Sequence, residues 1–361
     1  MRRQRGIRIV EGWEHEFPRG QALVLGALAR GYRGLLDARE WLYSKGVLRA
    51  NRVGCPVISI GNLTVGGTGK TPAVELAVRT LRDLGRRPAV VSRGYRRQSR
   101  GVQVVADTAS MRLDADEAGD EPFLLARRLP GVPVVVGSNR YEAARLAVER
   151  FAATAIVLDD GFQHRTLAKD LEIVMVRARR PWGNGQLLPH GPLREPLAAL
   201  ARADLIVAAM LEGGEDVTEV AAAAAVHAPN VPVLSARYVP VECWEAEQMR
   251  PRALSDLAGA RLLAFAGIAS PEAFRATASG LGATVAELAV FPDHHWYSGA
   301  DLRALDERAQ AIEATGLITT EKDWTRLRRL MPPRHPLYVV SIRLALTAGE
   351  DAWRSCFAKV C

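Results

Sequence analysis

The sequence predicts an α/β protein with a mostly parallel sheet flanked by helices, a second and smaller α/β domain, and an N-terminal amphipathic helix. Short apolar segments typical of buried strands alternate with helical patterns along most of the chain, which indicates crossover helices between parallel strands. Glycine-rich or acidic residues directly follow several of these strands. The 361 residues are enough for two domains, each with its own core.

These patterns divide the chain into three parts. Residues 1–50 form the amphipathic segment, residues 51–228 a nucleotide-binding core, and residues 229–361 the second α/β domain. Two long strand patterns, at 233–243 and 337–344, bracket the second domain. We predict that they pair as a two-stranded hinge.

The amphipathic segment has helical periodicity over residues 21–48. Its basic residues, with Trp41 and tyrosines, suit a membrane surface. The alternative is a helix packed on its own domain, and the sequence leaves both interpretations open. The apolar side chains predicted to share one face are Leu25, Leu28, Tyr32, Leu35, Leu36 and Leu42.

Composition limits the partners and the compartment. The net charge of +8 favours an anionic partner, but no basic motif interleaved with aromatic residues indicates nucleic acid. The four cysteines are scattered without a Cys-x-x-Cys pair, which predicts a reducing compartment and no metal cluster. No apolar run approaches the roughly 18 residues of a membrane span, and the start lacks a signal-peptide pattern. We therefore expect a cytoplasmic protein.

The strongest motif is a glycine-rich turn between a strand at 56–60 and a helix that begins at Lys70. Glycines adopt conformations that direct backbone N–H groups at phosphate oxygens, and the helix start adds a positive dipole end. Lys70 is expected to reach the β- and γ-phosphates, and the Thr71 hydroxyl to bind Mg²⁺. One position is irregular, because Thr64 stands where the usual phosphate-binding loop has its first glycine. The flanking strand and helix favour a nucleotide site over a turn without a ligand.

A second signal is the pair Asp159 and Asp160, which ends an apolar strand at 155–159. An acid at this place in a phosphate-loop protein binds Mg²⁺ directly or through water. The alternative is an Asp-Asp-Gly turn without a ligand. With the loop upstream, we favour a magnesium nucleotide site.

A kinase also needs a carboxylate that orients or deprotonates the acceptor hydroxyl. Asp120 is the candidate, although Asp120 and Glu121 at a helix start could simply cap the helix. The other cluster, Asp293-His294-His295, follows a strand and has no third ligand at zinc spacing. A guanine-recognition motif is not met, since the lysine of Thr320-Glu-Lys-Asp323 falls one position too late.

Several motifs follow one another in order between residues 33 and 324, and through them the chain resembles the tetraacyldisaccharide 4′-kinases of lipid A biosynthesis. The loop with Thr64 agrees with that family's own loop. The motifs are Ile60-Gly-Asn-Leu-Thr-Val-Gly-Gly-Thr-Gly-Lys-Thr-Pro72, Ser92-Arg-Gly-Tyr95, Gly119-Asp-Glu-Pro122, Asn139-Arg140, Leu158-Asp-Asp-Gly-Phe-Gln-His164, Leu187-Leu-Pro-x-Gly-Pro-Leu-Arg-Glu-Pro196, Phe265-Ala-Gly-Ile268, Phe291-Pro-Asp-His-His295 and Thr320-Glu-Lys-Asp323.

The resemblance implies a peripheral enzyme on the cytoplasmic face of the inner membrane. It would use ATP and Mg²⁺ to phosphorylate the 4′-hydroxyl of a lipid-linked disaccharide 1-phosphate, which forms lipid IVA in lipopolysaccharide biosynthesis. The lipid disaccharide and the anionic membrane surface are then the partners. We also expect a monomer that binds no nucleic acid.

The resemblance also implies roles for individual residues. Asp120 would be the base, paired with His294 rather than His295, with Lys70 and Asp160 completing the catalytic set. Thr71, Glu121 and Asp159 would bind the metal, and the nucleotide would contact Thr64, Gly66, Gly67, Thr68, Gly69, Lys70 and Thr71. Residues matched without a defined role are Arg140, His164, Glu195, Asp293 and His295.

Two other classes of function remain as alternatives. One is a metallochaperone or assembly ATPase with the same loop, which would need metal-binding cysteines or histidines on a partner surface. The scattered cysteines argue against it. The other is a nucleotide-binding module without transfer activity.

Overall fold

The computed structural model describes Trp13, residues 17–210 and residues 216–361. It confirms the predicted mostly parallel sheet flanked by helices. The strands are β1 (Val57–Gly61), β2 (Pro88–Ser92), β3 (Gln103–Ala106), β4 (Val134–Val136), β5 (Ala155–Asp159), β6 (Leu171–Arg177), β7 (Leu205–Met210), β8 (Val233–Glu245), β9 (Arg250–Arg252), β10 (Arg261–Ala266), β11 (Thr284–Val290), β12 (Gly316–Thr320) and β13 (Leu337–Ala348).

The described helices lie between these strands and at both ends of the chain. They are α1 (Arg19–Ser44), α2 (Lys70–Asp83), α3 (Ala115–Ala118), α4 (Asp120–Arg128), α5 (Arg140–Phe151), α6 (Thr218–His227), α7 (Pro271–Gly280), α8 (Gly299–Ala311), α9 (Glu321–Leu327) and α10 (Glu350–Val360), with 3₁₀ turns at Leu197–Arg202 and Leu254–Leu257.

All the strands belong to one sheet, in the order β11-β10-β12-β13-β8-β7-β6-β1-β5-β2-β4-β3, with β9 paired to β8. β1 lies between β5 and β6, and Ile60 is in register with Asp159 on β5. Because the two strands are parallel, the phosphate loop after β1 and the acidic pair after β5 leave the sheet side by side.

The antiparallel pair β8–β13 connects two lobes of this sheet. We call β1–β7 with their helices the first lobe, and β10–β12 with α7, α8 and α9 the second lobe. β8 is parallel to β7 on one side, and β13 is parallel to β12 on the other. The sheet is therefore continuous, and the division at residue 228 with a hinge in this pair stays a prediction.

Helix α1 runs from Arg19 to Ser44, somewhat earlier than predicted. Its inner face includes Leu25, Leu36 and the buried Ala29, but Leu28 and Leu35 are 56% and 71% exposed. The prediction that all six apolar residues share one face is wrong for these two, because small residues occupy part of the contact stripe. In the described part of the chain, no helix is both long and apolar enough to cross a membrane.

The C-terminal helix α10 has no counterpart in the sequence predictions. It packs on α2, where the Trp353 indole donates a hydrogen bond to Thr80 Oγ1 at 2.9 Å. Trp353 and Phe357 are almost fully buried in the same cluster as Ile60 and Val74. The chain end thus supports the helix that begins at the phosphate loop.

Candidate active site

The phosphate loop joins β1 to α2 in a conformation that needs glycine. Gly66 and Gly69 have φ of 105° and 72°, in the left-handed region. At Gly69 an added Cβ would lie 1.4 Å from the hydroxyl oxygen of Tyr238, which donates to the Thr68 carbonyl at 3.3 Å. Within the loop, Asn62 Nδ2 donates to Thr68 Oγ1 at 2.9 Å. The loop is therefore held from both ends.

The irregular position Thr64 has a structural partner. Thr64 is 5% exposed and forms an antiparallel bridge with Leu193, and the Val65 amide donates to the Pro192 carbonyl at 2.9 Å. The long segment at 179–196 is ordered against the first half of the loop. Thr64 is therefore fixed by the segment that also carries Arg194, and its contact with the nucleotide stays a prediction.

Lys70, the first residue of α2, faces Asp160. Its Nζ lies 3.4 Å from Asp160 Oδ1, and Arg194 Nη1 lies 3.0 Å from both carboxylate oxygens of Asp160. Burial favours the neutral acid, but the two cations outweigh it and lower the pKa of Asp160. Asp160 is therefore a partly buried carboxylate that pairs with the lysine of the loop.

Asp159 lies in a different environment, although it is the adjacent residue. Its Oδ2 accepts a hydrogen bond from Ser92 Oγ at 2.8 Å, whereas Oδ1 is buried without a partner. Burial, with the negative charges of Glu121 and Asp160, raises the pKa of Asp159 to about 7. An unpaired buried oxygen among several carboxylates is a site that a hard cation would stabilise.

Within the described residues, no group of three or more His, Cys, Asp or Glu is arranged to hold a metal by itself. Mg²⁺ in phosphoryl-transfer sites uses one or two carboxylates, with phosphates and water as its remaining ligands. Asp159 and Thr71, the residue after Lys70 in α2, offer such a donor set. The residues present therefore fit Mg²⁺ bound together with a nucleotide.

Asp120 and His294 are brought together from the two lobes. Asp120 begins α4 and is 6% exposed, and its Oδ2 lies 2.8 Å from His294 Nδ1. Burial alone would raise the pKa of Asp120. The hydrogen bond from His294 and the charges of Lys322 and Arg326 outweigh it and hold the pKa well below the usual range. Asp120 is therefore ionised at neutral pH.

His295 contacts different residues from His294. Its ring stacks on Phe291 at 4.9 Å between centroids, and its Nε2 lies 3.3 Å from Asp301 Oδ2. These partners all belong to the second lobe. Asp293 is 37% exposed, with Oδ2 3.9 Å from His294 Nε2.

Glu121 contacts a residue that was not among the predicted site residues. Its Oε1 accepts from Lys322 Nζ, on α9 of the second lobe, at 2.9 Å. The charge of Lys322 is the main cause that lowers the pKa of Glu121, against burial and the charge of Asp120. In this arrangement Glu121 is paired with a cation of the protein.

Arg140 and His164 lie beside the acidic pair. Arg140 begins α5, is 5% exposed and donates to the carbonyls of Gly137 and Ser138 at 3.1 Å. Burial, and then Arg93, lowers its pKa to about 10. Burial, and then Arg140, lowers the pKa of His164 to about 4, so its ring is neutral at pH 7. This cationic side of the site suits an anionic substrate.

Glu195 is engaged in ion pairs with two arginines, one of them on α1. It is 2% exposed and is ion-paired with Arg39 of α1 and with Arg202, whose Nη2 lies 2.5 Å from Glu195 Oε2. It therefore fixes the N-terminal helix to the segment that carries Arg194. The sequence predictions missed Arg194, Arg326 and Lys322. Two of them lie in or next to recognised motifs, but only the three-dimensional structure indicates their partners.

A phosphate loop, an acidic pair beside it and a buried carboxylate paired with histidine define a P-loop phosphotransferase of the α/β class. Residues 21–361 match the family described as tetraacyldisaccharide-1-P 4′-kinase. The chain belongs to this family.

Individual relatives agree with the family match. A tetraacyldisaccharide 4′-kinase of an Anaeromyxobacter species is 46% identical and aligns over 94% of this chain and 92% of its own length. The enzyme of that name from Syntrophus aciditrophicus is 41% identical over 92% of both chains. The structure of LpxK from Aquifex aeolicus in complex with ATP superposes with a TM-score of 0.76, at 30% identity, over 94% of this chain and 99% of that one. The predicted fold and lipid A kinase function are confirmed, and the metallochaperone alternative is not favoured.

Proposed function

We propose that the chain transfers the γ-phosphate of ATP to the 4′-hydroxyl of a tetraacyldisaccharide 1-phosphate and that Asp120 accepts the hydroxyl proton. The observation that carries this assignment is the contact between Asp120 and His294 across the two lobes. The acceptor oxygen bonds to the γ-phosphorus, its proton passes to the Asp120 carboxylate, and the bond to the bridging oxygen of ADP breaks.

A carboxylate with a low pKa is a weak base, but phosphoryl transfer demands mainly orientation of the nucleophile and stabilisation of charge. His294 holds one oxygen of Asp120 and leaves the other directed at the amide of Glu121, 3.0 Å away. The geometry supports a carboxylate that is fixed and ionised before substrate binds.

The nucleotide phosphates would lie in the loop from Thr64 to Thr71. Gly66, Gly67, Thr68 and Gly69 offer backbone donors, and Lys70 offers charge for the β- and γ-phosphates. Thr71, Asp159 and Glu121 are the residues that would hold Mg²⁺, which when bound neutralises charge on the transferred phosphate. Glu121 would do so while Lys322 holds its Oε1.

The acceptor is expected to approach from α1. A cavity of about 900 Å³ lies between α1 and residues 185–198, the segment that also carries Arg194 beside Asp160. Its lining is largely apolar, with Leu23, Ala29 and Leu197 among the residues, and Arg30 and Arg33 also border it. An apolar cavity with basic residues suits acyl chains attached to a phosphorylated sugar.

Helix α1 supports attachment to the cytoplasmic face of the inner membrane. Val24, Leu28 and Leu35 form an exposed apolar stripe, and Trp41 is also exposed. An exposed apolar stripe on a helix that also carries arginines suits the interface of an anionic bilayer. We expect a monomer, which light scattering of the detergent-solubilised protein would test.

The direct test uses the full chain in detergent with radiolabelled ATP, Mg²⁺ and the tetraacyldisaccharide 1-phosphate. The expected result is label on the lipid and little ATP hydrolysis when the lipid is absent. Hydrolysis of ATP without transfer to the lipid would overturn the proposal and favour an assembly ATPase. Binding of ATP without either reaction would favour a nucleotide-binding module.

A further inference from the structure

The segment Thr320–Asp323 is a recognised motif that the proposed reaction does not use. It joins β12 to α9, and the fully buried Asp323 fixes it in place. Asp323 Oδ1 accepts from the Gly267 amide at 2.9 Å and from the Tyr297 hydroxyl at 2.8 Å. The Gly267 carbonyl in turn accepts from the amide of His294 at 3.2 Å. The motif is thus built into the part of the second lobe that carries His294.

Lys322 extends from this motif to the first lobe. Its Nζ lies 2.9 Å from Glu121 Oε1, and the two side chains are 22% and 29% exposed. Burial would lower the pKa of Lys322, but the charges of Glu121, Asp120 and Asp293 raise it. The ammonium group of Lys322 therefore interacts electrostatically with carboxylates from both lobes.

The adjacent residue, Glu321, makes a second contact between the lobes. It pairs with Arg128 at 2.5 Å, and Arg128 also pairs with Glu75 of α2 at 3.3 Å and donates to the Ile342 carbonyl at 2.8 Å. The side chains of Arg128, Glu321 and Glu75 are 11%, 7% and 4% exposed. The motif is thereby tied to both ends of α4 and to the helix of the phosphate loop.

We propose that Lys322 is a positioning residue for phosphoryl transfer, which holds Glu121 and balances the charge of the adjacent Asp120 and Glu121. Without Lys322, the negative charges of Asp120, Glu121 and Asp159 would repel one another with less positive charge nearby to offset them. Glu121 would also lose the partner that fixes its side chain. Lys322 acts through these carboxylates and does not contact the reacting atoms. The inference rests on the proposed role of Asp120.

The first test compares Lys322→Met with Lys322→Arg. Methionine keeps the aliphatic stem without the charge, and we expect kcat to fall by about 30-fold while the KM for ATP changes by less than about threefold. Lys322→Arg should recover most of the loss, because it restores the charge. Lys359→Met, on the exposed side of α10, should match the wild type. A kcat of Lys322→Met within about twofold of the wild type would overturn the proposal.

The second test asks whether Lys322 acts through Glu121. In single-turnover assays of a Glu121→Gln variant, adding Lys322→Met should lower the rate of phosphoryl transfer by less than about threefold, because the negative charge that pairs with Lys322 is already gone. An undiminished loss in that background would contradict the proposal. So would a loss that disappears when rates are corrected for the folded fraction, measured by thermal unfolding. Asp120→Asn is measured in parallel, and full activity of that variant would refute the assignment of Asp120 as the base. The role of Lys322 is decided separately, by the effect of Lys322→Met in the Glu121→Gln variant.

Discussion

His294 Nδ1 lies 2.8 Å from Asp120 Oδ2, so a histidine of the second lobe orients the carboxylate of the first. We expect His294→Ala to lower kcat by about 10- to 100-fold, because Asp120 loses its partner. His295→Ala is the matched control. It removes a ring packed on Phe291 and should reduce stability by about 1–2 kcal/mol, with kcat per folded molecule within about threefold. Equal kinetic losses in the two variants would contradict the assignment.

The contact between Asp120 and His294 could not be predicted from the sequence pattern. Asp120 and the Asp-His-His segment were each recognised, but 174 positions separate Asp120 from His294, and no periodicity links them. The choice of His294 came from resemblance to the family. By contrast, the adjacency of the phosphate loop and Asp159 was predictable, because parallel strands place their carboxyl ends at one edge.

Gly69 provides a test of the phosphate loop that separates backbone strain from steric contact. Gly69 and Gly85 have nearly equal φ, 72° and 74°. A Cβ added at Gly69 would clash with the side chain of Tyr238, whereas a Cβ added at Gly85 would meet no atom within 4 Å. Gly85→Ala should cost about 1 kcal/mol in the free energy of unfolding. Gly69→Ala should cost more and weaken ATP binding at least about tenfold. Denaturant unfolding and ATP titration measure both effects, and equal results for the two variants would refute the role of the contact.

Asp159→Asn separates stability from activity. Replacing the acid relieves repulsion at a buried oxygen, so the metal-free protein should be as stable as the wild type or more so, while Mg²⁺-dependent kcat falls at least about 100-fold. A metal-free variant that melts well below the wild type would contradict this account.

The same residue predicts a pH dependence. The pKa of Asp159 is raised to about 7 in the folded protein, above the usual 3.9 or so of the unfolded chain. The folded state then binds more protons than the unfolded state between about pH 4 and 7, and the Asp159 contribution to the free energy of unfolding falls as pH rises through that range. Asp159→Asn should remove this part of the slope, and an unchanged slope in metal-free denaturation would refute the shift.

Helix α1 should attach the protein to membranes through its exposed apolar stripe. We expect Leu28→Ser with Leu35→Ser to reduce sedimentation with phosphatidylglycerol vesicles by at least about tenfold. Melting temperature should not change, since both side chains are largely exposed. Val226→Ser is the control, because Val226 is 74% exposed on α6. Binding equal to that of the control would refute attachment by this stripe.

The exposed stripe also shows why periodicity alone was insufficient. A helical pattern predicts which residues share a face, but not which face packs when small residues such as Ala29 make the contact. The role of Glu195 was hidden for a related reason. Its partner Arg39 lies 156 positions away on α1, and an ion pair between distant positions leaves no spacing in the sequence.

Asp120 is proposed to accept the proton of the 4′-hydroxyl, and Asp120→Asn tests this role with little change in the shape of the side chain. Phosphorylation of the tetraacyldisaccharide 1-phosphate by this variant, measured beside ATP binding, is the decisive observation. We expect a kcat lower by about 10²- to 10⁴-fold, with ATP affinity within about threefold of the wild type. A kcat within about threefold of the wild type would contradict it.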